Sequence, residues 1–161
     1  MSRCWIVNAS PLIFLGKVGR LSLLSDLADQ ILIPERVVEE VGAQVDGERS
    51  LTEIAAFDRC RIVPSVEVPL EIEAWDLGPG ESQVLALSIS ATGSRAVLDD
   101  LAARRCAQSF GLPIIGTLGV VLRASRLGRV PAARPLVDDL RRNGLYVSDL
   151  LVESALARLG E

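Results

Sequence analysis

Apolar and polar positions along the chain switch repeatedly between two periods. Short apolar runs at Cys4–Val7, Ile31–Ile33, Arg95–Leu98 and Pro113–Ile115 read as strands, and Arg61–Val63 is a further candidate. Helical patterns lie between them. Ser10 and Pro11 predict a helix start, with Ser as N-cap and Pro at the first helical position. Gly16 and Gly19 divide the run carrying Leu12, Leu15, Leu21, Leu23 and Leu24 into two helices. Pro34 opens the next helix, with Val37, Val38 and Val41 inward, and Leu51–Phe57 reads as a short one. Residues 64–80 hold Pro64, Pro69, Gly78, Pro79 and Gly80 and read as loop. A helix follows over Glu81–Ala91. Ala103, Cys106, Ala107 and Phe110 fall at i, i+3, i+4 and i+7 of another, stopped by Gly111. Thr117 is the expected N-cap of a helix with Leu118, Val121, Leu122 and Ser125 inward. Residues 135–143 and 148–159 complete the set, the latter capped by Ser148.

Strands alternating with helices predict an α/β fold, a three-layer α/β/α sandwich around a central parallel sheet of about four to five strands. The expected division is one domain over residues 1–144 and a C-terminal helical segment over 145–161. That segment carries Leu145, Tyr146, Val147, Leu150, Leu151, Val152, Leu156 and Leu159, more apolar positions than a solvent-facing helix needs. It is expected to pack on its own domain, on a second copy or on a partner peptide.

Composition narrows the chemistry. Apolar residues make up 49% of the 161 positions, enough for a full core. No apolar run approaches the roughly 20 residues of a membrane helix, and the N-terminal stretch from Met1 to Val7 lacks the features of a signal peptide. Cys4, Cys60 and Cys106 are odd in number and far apart, which suits reduced thiols and a cytoplasmic setting. The chain contains no histidine. Histidine-based triads and HExxH zinc sites are therefore excluded, and scattered cysteines make no thiolate zinc site. Any metal must be held by oxygen, which selects Mg²⁺ or Mn²⁺. The net charge of −4 is uneven: residues 1–100 carry 8 basic and 16 acidic side chains, residues 101–161 carry 9 arginines and 5 acids. An acidic centre beside an arginine-bearing, phosphate-binding face fits that division, as does an ordinary solvated surface.

Parallel α/β sheets bind ligands beyond the carboxyl ends of their strands. Asn8 ends the first strand, and Asp99 and Asp100 end the strand at 95–98. Glu81 lies in the first turn of the helix before that strand, and Glu40 one turn beyond Val37. Glu40 and Glu81 can then reach the same crevice. Local explanations exist for each residue. Glu81 is stabilised by its helix dipole alone, Glu40 by solvent, Asp99 and Asp100 as a cap, and Asn8 as a turn residue. Converging carboxylates repel one another, a hard dication relieves that repulsion, and no histidine base is then required.

Ile6-Val7-Asn8-Ala9-Ser10-Pro11-Leu12-Ile13, Ile33-Pro34 with Val37 and Glu40, Gly78-Pro79-Gly80-Glu81, Leu98-Asp99-Asp100 with Ala103-Arg104, and Gly116-Thr117-Leu118-Gly119, in that order and spacing, resemble the VapC-like PIN domains over residues 4–142. In particular they resemble the short PIN-like branch found beside antitoxin-like partners. The resemblance implies a Mg²⁺- or Mn²⁺-dependent endoribonuclease, the toxin of a type II toxin–antitoxin pair, acting on RNA and dimeric. It implies metal ligation by Asn8, Glu40, Glu81 and Asp100, with Asp99 the alternative to Asp100. Glu40, Glu81 and Asp100 would be catalytic, and Ser10, Arg104 and Thr117 would be supporting or phosphate-facing groups. Most members of that family have Asp where this chain has Asn8. An amide oxygen ligates Mg²⁺ without contributing charge, and Asn8 cannot be a general base.

Other readings fare worse. A receiver domain needs a lysine near its last strand, and Lys17 is the only lysine here. Gly78-Pro79-Gly80-Glu81 lacks the spacing of a dinucleotide motif, and there is no Walker A sequence. The remaining competitor is a PIN-like module that binds RNA or a partner without cleaving. Aromatic residues are only 4% of the chain, so base stacking is a minor expectation beside backbone contacts from Arg104, Arg105, Arg123, Arg126 and Arg129.

Overall fold

The computed structural model describes residues 3–161; Met1 and Ser2, the start of the stretch weighed above against a signal peptide, lie outside the described residues. Five strands form one sheet: β1 (Cys4–Val7), β2 (Gln30–Pro34), β3 (Cys60–Val63), β4 (Arg95–Val97) and β5 (Ile114–Ile115). Every pairing is parallel, in the order β3-β2-β1-β4-β5. The connections are helical: α1 (Ala9–Lys17) and α2 (Ser22–Leu27) after β1, α3 (Glu35–Gly42) and α4 (Gly47–Ala55) after β2. Next come α5 (Leu70–Glu73) and α6 (Pro79–Ser90) before β4, α7 (Leu101–Ser109) after it, then α8 (Thr117–Arg126), α9 (Ala133–Arg142) and α10 (Asp149–Ala157). Among the described residues, no helix is long and apolar enough to cross a membrane.

Trp5, Ile6 and Val7 are successive residues of the central strand and all are buried. Successive side chains of a strand point to opposite faces, so helices cover both sides of the sheet, as expected of a three-layer α/β/α sandwich. Removing one such side chain, as in Ile6→Ala, is expected to cost about 2–5 kcal/mol, readable as a lower midpoint in urea. Leu145, Val152 and Leu156 of the C-terminal segment join the same core, and α10 lies on α9, where the Arg134 guanidinium pairs with Glu153. Tyr146, Leu150 and Leu151 stay exposed.

Several local expectations are corrected. Helix α1 starts at Ala9, with Asn8 at the N-cap position, so Ser10 is the second helical residue and Pro11 the third. A proline is tolerated there because the first-turn N–H groups have no intrahelical acceptor. Gly16 lies inside α1, and the break comes at Gly19, whose φ of +67° suits glycine. Residues 64–80 are not all loop: Pro69 starts the single turn of α5, which buries Ile72, and α6 starts at Pro79. Phe110 follows the end of α7 and is exposed. The buried residues of α8 are Thr117, Leu118, Val120, Val121 and Ala124, so Leu118 and Val121 are inward as expected while Ser125 is only half-buried, and Gly116 takes the N-cap position expected of Thr117.

Candidate active site

The chain winds from β1 to β2 and β3 on one side, then returns to place β4 and β5 on the other. The crevice of such a sheet opens where the winding reverses, here beyond Val7 and Val97, which are paired in register. The Asn8 N–H extends the ladder by donating to the Val97 carbonyl at 3.1 Å.

Asn8 is 1% exposed and its side chain does not cap its own helix. Its Nδ2 donates instead to Glu81 Oε1 at 3.3 Å, across 73 residues of sequence. A carboxylate only accepts, so the amide nitrogen must face Glu81 and the oxygen must face away. Asn8 Oδ1 is then buried with no hydrogen-bond partner. A buried acceptor without a donor is costly, and this one is held in place by the bond on its other side.

Glu40 comes from α3 and accepts the Gly80 N–H at 2.9 Å. Gly80 is the second residue of α6, after Pro79, which has no N–H. Gly78 at the N-cap position has no side chain to offer, so Glu40 caps this helix from a neighbouring one. Burial pushes the Glu40 carboxyl above its ordinary pKa, and the charges of Glu81 and Glu39 add to the rise against the Gly80 hydrogen bond. Folded Glu40 thus holds its proton more tightly than the unfolded chain does. Its contribution to stability is full at pH below the unfolded value and is lost as pH rises through the folded one. Glu40→Gln keeps an acceptor for Gly80 without the charge. Melting curves should show this variant more stable than the parent at neutral pH, the gap closing as pH falls into the ordinary carboxylate range. Lower stability of Glu40→Gln at neutral pH would contradict this account.

The two aspartates after β4 have separate tasks. Asp99 Oδ1 accepts the Thr117 N–H at 2.7 Å and Oδ2 accepts the Thr117 hydroxyl at 2.6 Å. It therefore caps α8 and ties the end of β4 to the end of β5. Asp100 is the N-cap of α7, where Oδ2 accepts the Ala103 N–H at 2.9 Å. Arg104 Nη1 donates to the Leu98 carbonyl at 3.0 Å, inside the same corner. Thr117 is fully buried, and Ser10 is half-buried on α1.

The structure thus brings Asn8 onto Glu81, sets Glu40 near enough for the Glu81 charge to act on it, and joins Asp99 to Thr117. Among the described residues, no three Asp, Glu or Cys side chains stand close enough together to hold an ion as they are. Asp100 caps its own helix through Oδ2, and Asp99 spends both oxygens on Thr117 at the start of α8. Sequence reasoning misses Gly80, whose N–H holds Glu40; the Gly-Pro-Gly run before Glu81 carries that signal but has the composition of a loop. A cavity of about 450 Å³ lies elsewhere, lined by Lys17, Gln44, Arg49 and Ser50 among others, and shares no residue with this site.

Residues 4–161 match the DUF3368 family, described as a PIN domain. No curated protein sequence matches closely enough to count as a relative. The solved structure of the PIN domain endonuclease Utp24 is similar in fold, with a TM-score of 0.52 at 14% identity, over 70% of this chain and 84% of that one. With the family match spanning nearly the whole chain, the protein belongs to the DUF3368 family of PIN domains.

Proposed function

We propose that this protein is a divalent-metal-dependent ribonuclease whose site is built on Asn8, Glu40 and Glu81, with Asp99 and Asp100 closing the β4 side. The observation that carries this reading is the meeting of the buried Asn8 amide with Glu81, beside the Gly80-bound Glu40, beyond the ends of β1 and β4. A hard cation between Asn8 and Glu81 would replace the Nδ2–Oε1 hydrogen bond and draw the amide oxygen round to face it; the ligating atoms would then all be oxygen, which fits Mg²⁺ or Mn²⁺. When bound, the ion would polarise a phosphate oxygen and activate water for hydrolysis of a phosphodiester. The chain's own residues supply the rest. Asn8 presents its oxygen, Glu40 and Glu81 supply negative charge, and Asp99, Thr117 and Arg104 hold the strand ends in register. The PIN family supports a nuclease-type activity. RNA as substrate, an antitoxin partner and a homodimer extend the resemblance to toxin-type PIN domains.

The test is cleavage of RNA with and without Mn²⁺ by the parent and by a Glu81→Gln, Asp100→Asn double variant. Equal cleavage by both would remove the site. RNA binding without cleavage by either would favour a binding module, a reading that Asn8 also supports. If the arginines of residues 101–161 contact phosphate, RNA affinity should fall by orders of magnitude between low and physiological salt. A flat salt dependence in a filter-binding assay would exclude those contacts.

A further inference from the structure

We infer that Gly78 and Gly80 are positioning residues whose missing side chains set where the carboxylates of Glu81 and Glu40 stand. The inference rests on the metal-dependent reading above. Neither position needs glycine for its backbone. Gly78 has φ −61° and Gly80 is not among the residues of positive φ. Gly80 lies in the first turn of α6, where glycine is a poorer helix former than alanine. What both positions lack is space. A Cβ on Gly80 would lie 2.5 Å from Glu40 Oε1 and 3.0 Å from both Glu40 Cδ and Oε2. A Cβ on Gly78 would lie 2.5 Å from Glu81 Oε2, with Glu81 Cδ at 3.5 Å and nothing else within 4 Å.

Each glycine therefore lets one carboxylate settle against bare backbone. At Gly80 the approach also brings Glu40 within 2.9 Å of the amide N–H. One turn thus fixes two carboxylates from different helices beside each other, with Asn8 bridging from β1 to the second. The arrangement differs from a structural glycine because the atoms a Cβ would meet are ends of flexible side chains. Those ends can swing away, so the fold survives and the carboxylate is what moves.

The experiment measures Mn²⁺ binding to the full chain by electron paramagnetic resonance, and the melting temperature of the metal-free protein, for the parent, Gly80→Ala, Glu40→Ala and the double variant. Gly80→Ala should weaken Mn²⁺ binding about ten- to a hundredfold, the range for groups that orient metal ligands. Its metal-free melting temperature should stay within a few degrees of the parent's, since the helix gain from alanine offsets the loss of the Glu40 hydrogen bond to the Gly80 N–H. In the Glu40→Ala background, where the added methyl meets no carboxylate, Gly80→Ala should produce no further loss. Unchanged Mn²⁺ affinity in Gly80→Ala overturns the inference and leaves the metal reading intact. So does an equal loss in the Glu40→Ala background, because the effect then bypasses Glu40. A parent that binds no Mn²⁺ removes the metal reading and the inference together.

Discussion

Glu81→Gln should cut RNA cleavage about a hundredfold or more while the protein melts within a few degrees of the parent. Gln is nearly isosteric, and its Oε1 can still accept the Asn8 Nδ2 hydrogen bond, so the crevice keeps its shape. The change removes one negative charge from the neighbourhood of the orphaned Asn8 oxygen. Charge stabilisation at a catalytic cation is worth several kcal/mol, and each ~1.36 kcal/mol is tenfold in rate. Single-turnover cleavage at saturating Mn²⁺, beside thermal melts, separates lost chemistry from lost folding. Undiminished turnover would take Glu81 out of the mechanism. Asn8→Asp is the informative companion. It would place a second carboxylate where the amide now stands, 3.3 Å from Glu81 Oε1. The metal-free protein should melt lower from that repulsion, and added Mn²⁺ should raise its melting temperature by more than it raises the parent's.

Gly47→Ala should be the most damaging of the glycine-to-alanine changes. A Cβ there would lie 1.7 Å from the Val41 carbonyl oxygen and 2.7 Å from the Val41 carbonyl carbon. These are backbone atoms of α3 that no rotamer change can move, so α3 and α4 must separate at their junction. Overpacking typically costs about 1–3 kcal/mol, and a clash with backbone belongs at or above the top of that range. At about 3 kcal/mol, a chain of this size should melt roughly 6–12 °C lower. Gly42→Ala is the control, because its Cβ would meet only Leu51 Cδ1, at 3.7 Å. Calorimetry showing equal melting for the two variants would refute the packing described at that junction. Since α3 also carries Glu40, Gly47→Ala should weaken Mn²⁺ binding as well.

The strands are legible because short apolar runs bounded by turn residues have few other uses in a chain of this length. Strand β3 forms where Arg61–Val63 predicts it, even though Arg61 and Ile62 face solvent, because an edge strand has only one neighbour to satisfy. Helix ends are less legible. The Ser10-Pro11 pair looks like a start, yet continuation of the β1 ladder through Asn8 begins the helix at Ala9. Phe110 fits the helical period of α7, but the helix ends just before it. At the site, residue types and their strand-end positions can be read from the sequence, and the partners cannot. Nothing local indicates that Asn8 would ignore its own helix for Glu81, or that Asp99 would spend both oxygens on Thr117. Those choices are made by tertiary placement, where adjacent residues such as Asp99 and Asp100 are sent to different helices.

The strand order has a consequence for biosynthesis. Asn8 lies beside Glu81 only when β1 has β4 as its neighbour, and β4 ends at Val97. A growing chain of which only the segments up to β3 have left the ribosome can pair β1 with β2, yet it lacks the strand that aligns the two sides of the crevice. Long-range parallel pairing is also slow to form. If the finished protein cuts RNA, the ribosome that makes it is shielded, until β4 has emerged, by the order in which the segments appear.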